Sequence, residues 1–199
     1  EKGSVVVFPG TGTGGWQAGL ENLLHKGDRV LVSQIGQFSK LWVQMCWDME
    51  LTVHDVSGEW GEATPLDRYR NILEGDTYKD IKAVMVCQNE TATGVTSDVG
   101  AVRALLDELD HPALLMVDGI SSIGCIEYRH DDWRVDVAIA GSQKGFMMPT
   151  GLVVVALSER GNGIDFILRD AISHSCWRCR GAGLCQRSQR ESAKDGEKA

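Results

Sequence analysis

Short β-branched runs alternate with amphipathic stretches from the first residues onward, the pattern of βα units around a mostly parallel sheet. Val5-Val6-Val7-Phe8 predicts a buried strand. After a glycine-rich turn, Trp16, Leu20, Leu23 and Leu24 repeat at helical spacing until Gly27-Asp28 ends the helix. Residues 29–32 then start a strand, 41–49 a helix, 51–56 a strand and 66–73 a helix. The near-continuous apolar run Ile81–Cys87 predicts a strand covered on both faces. Val99, Val102, Leu105, Leu106 and Leu109 mark another helix, and strands follow at 113–117, 135–140 and Leu152–Leu157. The predicted class is α/β, a mostly parallel sheet with helices on both faces.

Beyond Leu157 the periodicity fades. Residues 158–199 carry few spaced apolar positions and end in a polar stretch from Gln186, which predicts a disordered tail on a single domain at 1–157. His174, Cys176, Cys179 and Cys185 include Cys-x2-Cys, half of a zinc ribbon, but no second half at ribbon spacing, so no metal is expected.

Composition narrows the partners. The chain has 199 residues, 43% of them hydrophobic, enough for one domain with a real core. Its net charge of -8 argues against nucleic acid or an anionic membrane, since both select clustered Lys and Arg. No run approaches the roughly 18 to 20 apolar residues of a membrane span, and Glu1-Lys2-Gly3 does not open a signal peptide. A soluble intracellular chain acting on small molecules is expected, with Cys46, Cys87 and Cys125 as reduced core thiols.

Three elements carry candidate chemistry. Gly10-Thr11-Gly12-Thr13-Gly14-Gly15 follows a strand and opens a helix, so its N–H groups suit an anion. Gly10, Gly12 and Gly15 also satisfy G-x-G-x-x-G, but the dinucleotide fingerprint needs an acid ending the next strand, which here runs into Ser33-Gln34. That absence, with the hydroxyls of Thr11 and Thr13, favours a monophosphate. Asp118 follows one apolar strand, and Lys144, in Gly141-Ser142-Gln143-Lys144-Gly145, follows another. Alone, the Asp is as well explained as a turn cap and the Lys as a solvated loop residue. Together, a phosphate cup, a carboxylate and an amine at strand ends match what pyridoxal phosphate requires of a protein. The lysine would carry the cofactor and shuttle a proton, which requires its pKa to fall.

Gln88-Asn89-Glu90-Thr91-Ala92-Thr93-Gly94-Val95, Val117-Asp118-Gly119-Ile120-Ser121-Ser122-Ile123-Gly124 and Gly141-Ser142-Gln143-Lys144-Gly145 resemble the signature segments of the class V aminotransferases. The likeness runs from about Val5 to Leu157 and is strongest to the alanine or serine:glyoxylate aminotransferase group. It implies the large domain of an aspartate-aminotransferase-like fold of type I, with pyridoxal 5'-phosphate on Lys144 and its ring nitrogen against Asp118.

The resemblance assigns further roles. Thr11, Gly12, Thr13 and Gln143 would bind the phosphate, Phe38 and Ile120 would face the two sides of the ring, and Thr91 would lie near its phenolic oxygen. Without the resemblance, Phe38 reads as an ordinary core aromatic. The implied reaction moves an amino group from serine or alanine to glyoxylate, giving glycine, in a homodimer. A peroxisomal location is implied, with cytoplasm or mitochondrion as alternatives. The family's N-terminal arm, small domain and substrate-binding arginine have no counterpart here, so a truncated form is expected. The rival readings are cysteine desulfurization on the same scaffold, a nucleotide-binding oxidoreductase, and a non-catalytic remnant.

Overall fold

The computed structural model describes residues 3–162, so the His174 and cysteine cluster lies outside the described residues. Along the chain the elements are β1 (Ser4–Pro9), α1 (Gly12–Leu23), β2 (Arg29–Gln34), α2 (Gln37–Asp48), β3 (Thr52–Ser57) and α3 (Leu66–Gly75). Then come β4 (Ile81–Cys87), the short hairpin β5 (Asn89–Glu90) and β6 (Val95–Thr96), and α4 (Val99–Glu108). β7 (Leu114–Asp118), β8 (Val137–Gly141), β9 (Leu152–Leu157) and α5 (Glu159–Asn162) complete the described chain.

Seven strands form one sheet in the order β1-β9-β8-β7-β4-β2-β3. From β3 to β8 all neighbours are parallel, whereas β9 runs antiparallel to both β8 and β1. A parallel return needs a crossover of about a dozen residues or more. The loop at 142–151 is too short for one, so β9 comes straight back.

The apolar strands are sorted by pleat. Val30, Val32, Met85, Met116 and Ile139 face α1 and α2, joined by Trp16, Leu20, Trp42, Val43 and Met45. Leu31, Val84, Val86, Leu115, Val117 and Ala138 face the other way, toward Tyr69, Leu73, Val102 and Leu106 of α3 and α4. Both faces of the inner strands are therefore covered, which is why Ile81–Cys87 reads as nearly unbroken apolar sequence. The edge strand β1 differs: Phe8 is buried, but Val5 and Val7 are exposed, so only part of that predicted strand enters the core.

Most boundaries shift by one or two residues, and two larger differences have visible causes. α2 begins at Gln37, four residues before its apolar periodicity, because its first turn is capped by a side chain from another segment. The described chain also continues past Leu157. Ser158 donates its N–H to the Asp136 carbonyl at 2.9 Å and its hydroxyl to the Asp136 carboxylate at 2.9 Å, and Arg160 reaches the Pro112 carbonyl at 2.6 Å. These contacts hold α5 at the amino end of β8.

Leu115 and Val5 test the layering. Leu115→Ala empties a fully buried site and is expected to cost about 2 to 5 kcal/mol in urea unfolding. Val5→Ala, on the open face of β1, is expected to change stability by less than about 0.5 kcal/mol. Equal losses would contradict this placement of the core.

Candidate active site

The path of β9 brings the candidate residues to one edge. β1 and β8 both run against β9, so they point the same way as β7, β4 and β2, and the carboxyl ends of all five lie together. Pro9 of β1 pairs with Leu152, and Gly141 of β8 pairs with the next residue, Val153. The turn into α1 and the loop carrying Lys144 thus flank the same end of β9. Asp118, the last residue of β7, pairs with Ile139 of β8 and with Cys87 of β4.

At the start of α1, Thr11 is the N-cap, its hydroxyl accepting the Gly14 N–H at 3.3 Å. The first turn contains no acidic residue. Its free N–H groups and the positive end of the helix dipole therefore face the sheet edge with no carboxylate of their own. Thr11 is exposed and Thr13 half-buried. Gly12 leaves room for Ile120: a Cβ there would lie 2.5 Å from its Cδ1, so a larger residue would oblige that side chain to shift. Ile120 is thereby pressed against the amino end of α1.

Asp118 is buried, and its Oδ1 accepts the Ile120 N–H at 2.9 Å. The Cys87 thiol donates to Oδ2 at 3.7 Å. Burial pushes the Asp118 carboxyl up to about 6, and the charge of Glu90 adds to the rise; the Ile120 N–H, the Trp16 indole and the Cys87 thiol oppose it. The indole N–H of Trp16 is buried without a hydrogen bond of ordinary geometry, so its effect on the carboxylate is one of proximity. Burial, with the Asp118 charge beside it, also raises the Cys87 thiol well above its ordinary value. A carboxylate this poorly solvated favours a cation brought next to it, and a protonated pyridine nitrogen meets that need.

Lys144 and Gln143 are both exposed in a tight loop. The Ser142 hydroxyl donates to the Pro149 carbonyl at 2.7 Å, and the Met147 N–H donates to the Lys144 carbonyl at 2.9 Å. Gly145 lets this loop touch the connection after β7: a Cβ there would fall 2.2 Å from the Ile123 carbonyl oxygen. The Lys144 side chain is open to solvent. Phe38, in the first turn of α2, keeps 37% of its surface exposed, so it is no core aromatic. Thr91 is exposed in the β5–β6 turn. The edge thus brings together an anion cup, a buried carboxylate, an accessible amine and an exposed aromatic ring.

The family model described as "Aminotransferase class-V" matches residues 2–163. The chain belongs to that family. It is 52% identical over 163 residues to a serine–glyoxylate aminotransferase of Hyphomicrobium methylovorum, covering 82% of this chain and 40% of the relative. It is 51% identical over 156 residues to an L-aspartate–glyoxylate aminotransferase of Paracoccus denitrificans, covering 78% and 39%. Among solved structures, an aspartate aminotransferase from Thermus thermophilus superposes with a TM-score of 0.74 at 29% identity, covering 81% of this chain and 44% of that one. The chain therefore spans about two fifths of the length of the curated relatives it matches. Class V aminotransferases are pyridoxal-phosphate enzymes of fold type I, and the α/β fold here is that of their large domain. Among the described residues no helix is long and apolar enough to cross a membrane.

The expected thiol pattern holds in part: Cys46 and Cys87 are buried, whereas Cys125 is exposed in the connection after β7. Two buried polar residues at the class V site carried no role in the sequence reading. Gln88 donates its amide to the Glu127 carbonyl at 2.9 Å and accepts the Ser122 hydroxyl at 2.7 Å, tying β4 to the segment after Asp118. Glu90 is fully buried. Polar side chains placed directly after an apolar strand were the available signal for both.

The raised carboxyl makes stability depend on pH. Between about pH 4 and pH 6 folded Asp118 keeps a proton that the unfolded chain has released, so its contribution falls as pH rises through that window. The shift corresponds to a loss on the order of 3 kcal/mol. Asp118→Asn has no such loss, so its stability relative to the parent should rise by about that amount between about pH 4 and pH 7. Urea midpoints at both pH values measure it, and an unchanged difference would contradict the shifted carboxyl.

Proposed function

We propose that this chain is the cofactor-binding part of a pyridoxal-phosphate-dependent aminotransferase that uses glyoxylate as amino acceptor and forms glycine. The observation that carries the reading is the convergence of Lys144, buried Asp118 and the amino end of α1 at one sheet edge. Thr11, Gly12 and Thr13, with Gln143, would hold the phosphate through N–H and hydroxyl groups. Asp118 would accept a hydrogen bond from the protonated ring nitrogen and keep its charge in place. Phe38 and Ile120 would cover the two ring faces, and Thr91 would place its hydroxyl near the phenolic oxygen. Lys144 would carry the cofactor at Nζ and, once displaced, move the proton taken from the substrate carbon. When bound, pyridoxal phosphate supplies the electron-withdrawing ring that stabilises negative charge at that carbon.

Both bacterial relatives are named as glyoxylate aminotransferases, whereas their amino donors differ. We favour serine or alanine as donor. A homodimer and a peroxisomal site, with cytoplasm or mitochondrion as alternatives, follow from the family likeness alone. The domain division proposed is a partial cofactor-binding large domain over residues 1–157 and a segment of divergent sequence over 158–199.

The rivals lose specific support. A dinucleotide site needs the first strand beside the strands at the topological switch point, yet β1 pairs only with antiparallel β9 among the described residues. Cysteine desulfurization needs an activated thiol, and Cys87, the cysteine beside Asp118, does not supply one, being buried with its pKa pushed the wrong way for a thiolate.

Lys144 tests the reading directly. After incubation with pyridoxal phosphate and borohydride reduction, peptide mapping should find the pyridoxyl group on Lys144. Modification of Lys40 or Lys82 with Lys144 free would refute the assignment. In a form extended to the length of its relatives, glycine should form from glyoxylate with serine or alanine at about 1 to 1000 per second. No glycine with either donor would refute the proposed substrates.

A further inference from the structure

Glu90 ends β5, immediately before Thr91, and none of its surface is exposed. A buried carboxylate is costly unless hydrogen bonds replace its water. Here they come from two segments. Oε2 accepts the N–H of Phe38 at 3.1 Å, the N–H of Ser39 at 2.9 Å and the Ser39 hydroxyl at 3.0 Å. Oε1 accepts the N–H of Phe38 at 3.2 Å and that of Ala92 at 3.1 Å. Among the described residues the carboxylate forms no ion pair; the amino end of α2 offsets its charge.

The fit is close from the far side as well. A Cβ on Gly36 would lie 2.3 Å from Cγ of Glu90, so the carboxylate reaches the helix only because residue 36 lacks a side chain. The Glu90 main-chain carbonyl accepts the N–H of Gly94 at 2.7 Å and that of Thr93 at 3.1 Å, which closes the turn bearing Thr91. One residue therefore clamps the first turn of α2 to the β5–β6 turn.

We propose that Glu90 is a positioning residue that holds Phe38 and Thr91 at the rim of the site, and so sets the affinity for the cofactor without touching it. The inference rests on the pyridoxal-phosphate reading above. Phe38 is held by its own backbone N–H while its ring stays partly exposed, so the clamp fixes the base of the side chain and leaves its face free. In Glu90→Gln the amide keeps one acceptor oxygen but turns an NH2 group toward N–H donors, and the first turn of α2 is released.

The test is a double-mutant cycle on pyridoxal phosphate binding to the full chain. Tryptophan fluorescence quenching gives the dissociation constant, and thermal unfolding is followed in parallel. Glu90→Gln is expected to raise the dissociation constant roughly tenfold, Phe38→Ala at least as much, and the double variant by less than the product of the two single effects, because the part of the Glu90 effect that runs through Phe38 is already lost. Should Glu90→Gln fail to fold, Ser39→Ala removes one donor to the carboxylate, together with the hydroxyl's bonds to the Ile35 and Gly36 N–H groups, and keeps the charge; an increase of roughly threefold is expected. Parent-like affinity with only a lower melting temperature, or effects that multiply in the double variant, would overturn the proposal. A parent chain that does not bind pyridoxal phosphate overturns the cofactor reading and this inference with it. Binding that neither Glu90→Gln nor Ser39→Ala disturbs overturns the inference alone.

Discussion

The hydrogen bonding of β9 between β1 and β8 is the constraint on which the rest of the site depends. Two antiparallel pairings in succession restore the direction of β1 to that of β8. With neighbouring strands about 4.8 Å apart, the turn into α1 stands roughly 10 Å from the end of β8 and some 15 Å from the end of β7. Anion cup, amine and carboxylate are thus spaced across one edge by strand geometry. Remote segments of the chain, at residues 11, 118 and 144, are set by the same ladder.

Side-chain chemistry then refines what the ladder places. Asp118 lies at the end of a strand buried on both faces, so its carboxyl is dehydrated by the core that positions it. Trp16, stacked on Trp42 at 5.8 Å between ring centres, brings its indole to the same carboxylate from α1. The packing of the two helices on the sheet is therefore also the electrostatic environment of the acid. Glu90 is just as shielded from water, and there several N–H donors stand where the water would be.

Much of this was legible in the sequence because period and position carry it. The strands at Ile81–Cys87 and Leu152–Leu157 and the helix after Gly10-Thr11-Gly12-Thr13 follow from local apolar spacing and turn chemistry. Asp118 and Lys144 stood out because each follows an apolar run. The true start of α2 was not legible, since its cap comes from Glu90, some fifty residues downstream. Nor was the exposure of Val5 and Val7, because a run of valines reads the same at the edge of a sheet as at its centre. Cys125 looked like the buried Cys46 and Cys87 for want of any local pattern that separates a long connection from a strand.

The contact between Ile120 and Gly12 has a mechanical consequence. Ile120 presses its side chain on the amino end of α1 while its backbone N–H holds the Asp118 carboxylate, so one residue is a strut between the two ends of the site. The separation of the amino end of α1 from the Asp118 carboxylate is thereby set in part by the size of one side chain.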